Sequence, residues 1–366
     1  MLVRKAKSIL GLVLIFCIFF VSGCWSRREL ESQAYILALG VGLVAPNGIR
    51  LVAQIGLPSA EPEGGEGASF KTIISEGIDM SDALDNMYLG NSKRPDLHHL
   101  RVIVFSEELA RDGLWHTLDF LRRDVNVRSN VQVAISAEDL GDLLAAGDPL
   151  NAQPSLAITN HFDINIQRSG VVEVELLDLV AMLLEPDREI VMPVIEVSND
   201  RFSLGKTAVF KDDKMVKIVD KQHTFGLLLW YSQVRDGVIS VPQQGNEKKV
   251  VSYRILDSRT KVTPSWDGEK LHVQVFADTV VDVTEIHGQV QEDLENLARS
   301  SIAQSMRNVL DLARQEESDF LNIAVHFRRA DPSTWQELQS QWVEILKGAN
   351  YDIGGIVHIR GQGQIR

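Results

Sequence analysis

The sequence predicts an α+β chain: several mixed α/β domains in series, each a β-sheet packed with helices. Three observations lead there. Short runs rich in Val and Ile alternate with helix-type stripes from residue 35 onward, the pattern of mixed layers. A hairpin signal, Asn47-Gly48, stands between two such runs near the start. Amphipathic stripes dominate after residue 289, so helices close the chain.

Tyr35 to Val44 reads as a strand, and Ile49, Leu51, Ala53 and Ile55 alternate with more polar neighbours on its return. Asn-Gly between them predicts a type I′ turn, because both residues tolerate positive φ. Pro58 to Ser69 has almost no bulky apolar side chain and predicts a mobile loop. Met80 to Leu89 predicts a short helix and Leu100 to Phe105 a strand. Ser106 is placed to cap a helix that opens with Glu107 and Glu108 and lines one side with Leu109, Leu114, Trp115, Leu118 and Leu121. Val125 to Ile135 predicts a strand, Ser136 with Glu138 and Asp139 a helix start running through Leu143, and Gly147-Asp148-Pro149 a break. Val174 to Leu184 predicts a helix ended by Pro186. Ile190 to Val197 is nearly all apolar, either a buried strand or part of a domain join.

Phe202 to Val209, Met215 to Val219 and Phe225 to Tyr231 read as strands, and Val238, Val250 to Leu256, Lys261 to Thr263 and Leu271 to Val283 continue the sheet. Gln289 to Glu317 predicts a long helix with Val290, Leu294, Leu297, Ile302, Met306, Val309, Leu310 and Ala313 on one face. Asp331-Pro332 is a cap and first-turn pair for a second helix that buries Trp335, Leu338, Trp342, Ile345 and Leu346 and leaves at Gly348. Both stripes have acidic outer faces, so packing against a sheet is expected rather than a helix lying on a membrane. Ile356 to Ile359 is the expected last strand.

The first two dozen residues follow a different plan. Arg4, Lys5 and Lys7 precede an apolar run from Ile9 to Val21, and then come Val21-Ser22-Gly23-Cys24. Charge, apolar run and small residues in that order make a secretory signal peptide. A cysteine directly after them resembles the lipobox of bacterial lipoproteins, in which the thiol is joined to a diacylglycerol and the peptide is cut just before it. The competing reading is a signal-anchor helix, yet Ile9 to Val21 is shorter than the ~20 apolar residues of a bilayer span. The expected organisation is a signal peptide over 1–23, an N-terminal domain over 24–200 and a C-terminal domain over 201–366.

The chain has 366 residues and a formal charge of −13; losing residues 1–23 removes three basic residues and no acid, leaving −16. Such a surface repels nucleic acid and anionic lipid alike, so no nucleic-acid partner is expected. Cys17 lies in the leader and Cys24 is the lipid attachment site, so the exported chain has no disulfide.

Catalysis has no visible home. His98 and His99 adjoin but point apart on any regular element. There is no His-Glu-x-x-His, no Cys-x-x-Cys and no Gly-x-Ser-x-Gly, and Gly40-x-Gly42 and Gly361-x-Gly363 lack a third glycine and a following helix. The acid pairs Glu107-Glu108, Asp212-Asp213 and Glu316-Glu317 read as solvated faces. His326 and His358 stand in strand-like runs and read as structural. No metal and no cofactor beyond the covalent lipid on Cys24 are expected.

Several segments together resemble one family. Gly23-Cys24-Trp25-Ser26-Arg27-Arg28-Glu29-Leu30 followed by Ala38-Leu39-Gly40-Val41-Gly42 is similar to the start of the Ger(x)C lipoproteins, the C subunit of bacterial spore germinant receptors. Gly205 to Lys214 and Gly226-Leu227-Leu228 resemble that family's middle signature. Glu317-Ser318-Asp319-Phe320, Phe327-Arg328-Arg329, Pro332-x-x-Trp335 and Trp342 resemble its closing motif. Ser26 departs from the acidic residue often found there.

The resemblance implies a lipid-anchored subunit of a three-part receptor on the outer face of the inner membrane of a dormant endospore, beside two multi-spanning subunits. Such receptors respond to amino acids, sugars or nucleosides and trigger release of ions and spore-core solutes. It carries over Cys24 as the lipid attachment site. For Trp25, Arg27 and Arg28 two readings stand: contact with headgroups or the membrane subunits, or tucking the first domain against its anchor. Two other functions are weighed beside the non-enzymatic receptor subunit: a solute-binding lipoprotein, which needs two similar lobes, and an envelope hydrolase.

Overall fold

The computed structural model describes residues 33–56, 70–146, 148, 151, 153–198, 201–243, 246–288 and 293–361. The leader with Cys24, Trp25, Arg27 and Arg28, the loop expected over 58–69, residues 289–292 and Gly363 lie outside the described residues.

Two sheets carry the fold. The first has nine strands in the order β3(Phe70–Gly77), β2(Gly48–Gly56), β1(Gln33–Val44), β5(Val102–Ser106), β6(Gln132–Ser136), β7(Val191–Ser198), β8(Arg201–Lys211), β9(Lys214–Val219), with β4(Arg94–Asp96) added beside β1. Its centre is parallel, β1 to β5 to β6 to β7, and its flanks are antiparallel. The alternation of side chains assigns the two faces. In β5, Ile103 and Phe105 point to one core and Val102 and Val104 to the other; in β6, Val133 and Ile135 oppose Ala134. Helices α1(Met80–Leu89), α2(Glu107–Asp112), α3(Trp115–Arg123) and α6(Leu176–Leu184) cover the first face, and α4(Leu140–Ala145) and α5(Pro154–Gln167) the second.

The second sheet has the order β10(Gly237–Gln243), β11(Asn246–Trp266), β12(Leu271–Ile286), β13(Asn350–Gly361), antiparallel except for the last pair. Its inner face packs on α8(Leu294–Gln315), which buries Leu297, Ile302, Met306, Val309 and Leu310 as its stripe predicts. Helix α7(Lys221–Trp230) lies between the sheets, and α9(Ile323–Ala330), α10(Pro332–Leu338) and α11(Trp342–Gly348) complete the chain. One apolar cluster runs from the first sheet through α7 and α8 to the second.

The mixed architecture is the expected one, with corrections. The strands after Val238 form their own sheet instead of continuing the first one. Phe225 to Tyr231 is not a strand: Asp220 accepts a hydrogen bond from His223 N and caps α7. His326 sits on helix α9, exposed, and not in a strand. The helix expected after Ser106 breaks into α2 and α3 at Gly113, whose φ of 136° admits glycine only, and Trp115 turns outward. The strand expected from Val125 begins at Gln132. The first hairpin pairs Val44 with Gly48, so Ala45, Pro46 and Asn47 form the turn and no I′ geometry occurs. The last expected helix is two, with a 3-10 turn over Gln339–Gln341 between them. Helix α5 and strand β3 have no counterpart in the sequence reading.

Candidate functional site at the joint between the sheets

The closing segment, residues 317–342, is where the two sheets are tied together. Asn322 takes a left-handed turn (φ 57°) ahead of α9, and Asp319 supplies the missing acceptors. Its Oδ1 accepts from Ile323 N (2.9 Å), and its Oδ2 accepts from Ala324 N (2.6 Å) and Trp342 Nε1 (3.0 Å). Trp342 is thereby fixed against Phe327 (ring centroids 5.4 Å) and Trp335 (4.8 Å). Asp331 caps α10 through Thr334 N, with Pro332 in its first turn, as the sequence predicts.

From this aromatic knot, hydrogen bonds and ion pairs reach the first sheet, α7 and the connection from α6 to β7, while α9 packs on β11 of the second sheet. Ser318 Oγ donates to the Phe210 carbonyl in β8 (2.6 Å), and Glu189 N donates to Asn322 Oδ1 (3.0 Å). Trp230 Nε1 at the end of α7 donates to the Leu321 carbonyl (3.0 Å), and the Tyr231 hydroxyl donates to that of Phe320. Arg328 and Arg329 meet Glu185, and Arg328 also faces Asp187, on the connection from α6 to β7.

Two carboxyls here are shielded from water, Asp319 buried and Glu189 half-buried at a cavity wall. Burial pushes Glu189 up to about 8, against one hydrogen bond from Asp212 N. Burial also pushes Asp319 up to about 6, although its three donors favour the charged form. An acid whose folded pKa lies above its unfolded one stabilises the fold fully at low pH and less as pH rises through the folded value. Unfolding midpoints in urea are therefore expected to fall between pH 5 and pH 8.5, and Glu189→Gln to flatten the upper half of that fall. Asp236 and Asp331, both held near 2 by hydrogen bonds, act only at more acid pH. Partial shielding of its ring and the Arg329 charge hold His326 low, an effect of opposite sign.

Asp319 is 6% exposed and its carboxylate already accepts from three donors, and no group of metal-ligating residues occurs among the described residues. Of the acid pairs, Glu107 pairs with Arg111, Glu316 with Lys217 and Glu317 with Lys347, while Asp212 N donates to Glu189 and Asp213 accepts from Trp115 N. His98 pairs with Asp96 while the His99 ring meets Tyr35, so the two point apart. Sequence reasoning on acids missed Asp319 and Glu189. Their only local signal is the apolar run that follows each, Phe320-Leu321 and Ile190 to Ile195.

Comparison with known proteins supplies the family. Residues 26–197 match the family model for the spore germination protein N-terminal domain, and residues 205–363 match that for the spore germination B3/GerAC-like C-terminal domain. Spore germination protein KC of Bacillus subtilis is 22% identical over 98% of this chain and 96% of its own length. Spore germination protein B3 of the same organism is 20% identical over 93% and 95%. The crystal structure of the GerBC protein shares the fold with a TM-score of 0.56 at 18% identity, covering 88% of this chain and 96% of that one. The chain belongs to the GerAC family of spore germination proteins, the C subunits of germinant receptors.

Proposed function

We propose that this protein is a lipid-anchored, non-catalytic subunit of a spore germinant receptor, held on the extracytoplasmic face of the inner spore membrane and assembled with two integral membrane subunits. The observation that carries the anchoring is Cys24 directly after Val21-Ser22-Gly23 at the end of an apolar leader, in a chain that belongs to this family. No helix among the described residues is long and apolar enough to cross a membrane. Two acyl chains, at ~0.8 kcal/mol per buried methylene, hold a protein where one chain holds only marginally. A chain of net negative charge gains nothing from anionic headgroups, so the lipid must supply the attachment. Trp25, Arg27 and Arg28 then stand next to the bilayer, beside headgroups or the membrane subunits.

Cys24→Ala is expected to move the protein from the membrane to the soluble fraction of broken spores and to slow nutrient-triggered germination. Normal membrane retention of that variant would sink the anchoring.

A second reading, a solute-binding lipoprotein, is favoured by one feature. A cavity of about 760 Å³ opens between α5, α7, α8 and the edge strand β10, with Arg168, Phe225, Ser240, Ser301, Gln304 and Asn308 on its walls. The two sheets around it are unlike, nine strands against four, where such proteins use similar lobes. Calorimetry of the chain with amino acids, sugars and nucleosides separates the readings: tight binding by this chain alone favours the second.

A further inference from the structure

Helix α6 departs from what an outer helix normally looks like. Leu176, Leu179 and Met182 are buried on its inner side. The opposite side of such a helix is ordinarily polar. Here it carries Leu177, Val180, Ala181 and Leu184, the i, i+3, i+4, i+7 spacing of a single stripe, and Asp178 is the helix's one charged residue. Leu177 is 59% and Leu184 49% exposed.

Both ends of the stripe are acidic. At its start, Glu175 and Asp178 have no cationic partner among the described residues, and neighbouring Glu173 holds only Arg235. Burial and the charges of Asp178 and Glu173 together keep the Glu175 carboxyl above its ordinary value. At its far end, Leu183 lines a cavity of about 680 Å³. That cavity also holds Trp115, 42% exposed, with Asp112, Asp187 and Asp212 around it. Arg188 and Lys214 are the basic residues lining it; Arg188 is engaged by Glu185 and Arg328 already faces Asp187, which leaves Asp112 and Asp212 without an ion pair among the described residues.

We propose that the outer stripe of α6, with the acidic ground at both its ends, docks an amphipathic helix of a partner protein. The partner's apolar face meets Leu177, Ala181 and Leu184, and its flanking lysines or arginines meet Asp178 at one end and Asp112 and Asp212 at the other. Helix-on-helix recognition of this kind is read out through anchors at the same i, i+4, i+7 spacing. Charge selects this occupant. An anionic bilayer is repelled by Glu175 and Asp178, and a second copy of this chain would bring the same acids against the same stripe. A helix edged with cations neutralises them and covers the leucines. The surface is a property of α6 and its neighbours and does not depend on the receptor reading.

The test places the photo-crosslinking residue p-benzoylphenylalanine at Leu177 or Leu184 of the full chain, in spores of its own host. A control at Phe276, exposed on the outer face of the second sheet, sets the background. Mass spectrometry of the joined peptides should find a partner segment with apolar residues at three-to-four spacing and lysine or arginine beside them. The double variant Glu175→Lys, Asp178→Lys should cut that yield about fivefold or more, and Glu175→Gln, Asp178→Asn, which keeps the accepting oxygens of the capping box these two residues form, should lower it in the same direction with the fold intact. Adducts to lipid alone, to a second copy of this chain, or to a segment without basic residues overturn the proposal. No adduct above the Phe276 background overturns it too, as does a yield indifferent to charge reversal. The fractionation of Cys24→Ala reads the anchor separately, so failure of the surface and failure of the receptor reading are distinguishable.

Discussion

Asp319→Ala is expected to lower the free energy of unfolding by about 3–5 kcal/mol. Three donors lose their acceptor at once: the backbone N–H groups of Ile323 and Ala324 and the indole of Trp342. Each buried donor left unpaired costs roughly 1–3 kcal/mol, and the first turn of α9 recovers part of that by loosening toward water. Asp319→Asn keeps one accepting oxygen and should cost about half as much. Urea unfolding followed by tryptophan fluorescence is the measurement, since Trp335 and Trp342 pack beside the site. A second feature sharpens the expectation. The enclosed carboxylate of the natural protein is itself unfavourable above its raised pKa, and alanine removes that burden, so the loss should be larger at pH 5 than at pH 8. A loss under about 1 kcal/mol, or one that grows with pH, would show that Asp319 does not organise the joint.

How much of this was readable in the residues depends on whether the physics was local. Strands β1, β2, β5, β8 and β9 and helices α1, α6 and α8 announce themselves by alternation or by 3.6-residue stripes, since the burial that shapes each lies on one face. Phe225-Gly226-Leu227-Leu228-Leu229-Trp230-Tyr231 has apolar residues on every side, and such a short run carries no period to separate helix from strand. Its cap, Asp220, was the usable clue. Helix α5 follows directly on the Gly147-Asp148-Pro149 break and has a weakly amphipathic face, so its stripe does not stand out. The division of the later strands into their own sheet rests on pairings such as Thr279 with Val357, far apart along the chain.

The site divides in the same way. The expectation for Cys24 comes from the sequence alone, because a lipobox-like stretch is a local signal. Asp319 and Glu189 look like ordinary surface acids, because what encloses them arrives from elsewhere: Trp342 from α11, Tyr231 from the end of α7, Asp212 from the end of β8. The closing landmarks that resemble the GerAC pattern acquire a physical meaning in the fold. Ser318, Asp319, Phe327, Arg328, Arg329, Trp335 and Trp342 are the parts of one clamp that holds the closing helices against the first sheet and the α6–β7 connection.

Gly226→Leu should leave no cooperatively folded protein, and even Gly226→Ala should cost about 1–3 kcal/mol. A Cβ at this position would lie 2.2 Å from Val309 Cγ2 and 2.6 Å from the Ser305 carbonyl oxygen of α8. Val309 can turn aside, but Ser305 offers backbone, which moves only with its helix. The two helices must then separate. Helix α7 is tied to the first sheet by the buried Thr224–Thr207 hydroxyl pair (3.0 Å) and to the closing segment by Trp230, while α8 rests on the second sheet. A shift at the crossing therefore strains both sheets' contacts at once and opens the core that runs between them. The sign of the alanine result discriminates. In a helix free of such contact, glycine to alanine gains about 1 kcal/mol from propensity alone, so a stabilised Gly226→Ala protein would mean that the α7–α8 crossing is looser than 2.6 Å implies. Melting temperatures of the two variants beside the parent chain decide it, with loss of the cooperative transition in the leucine variant as the expected extreme.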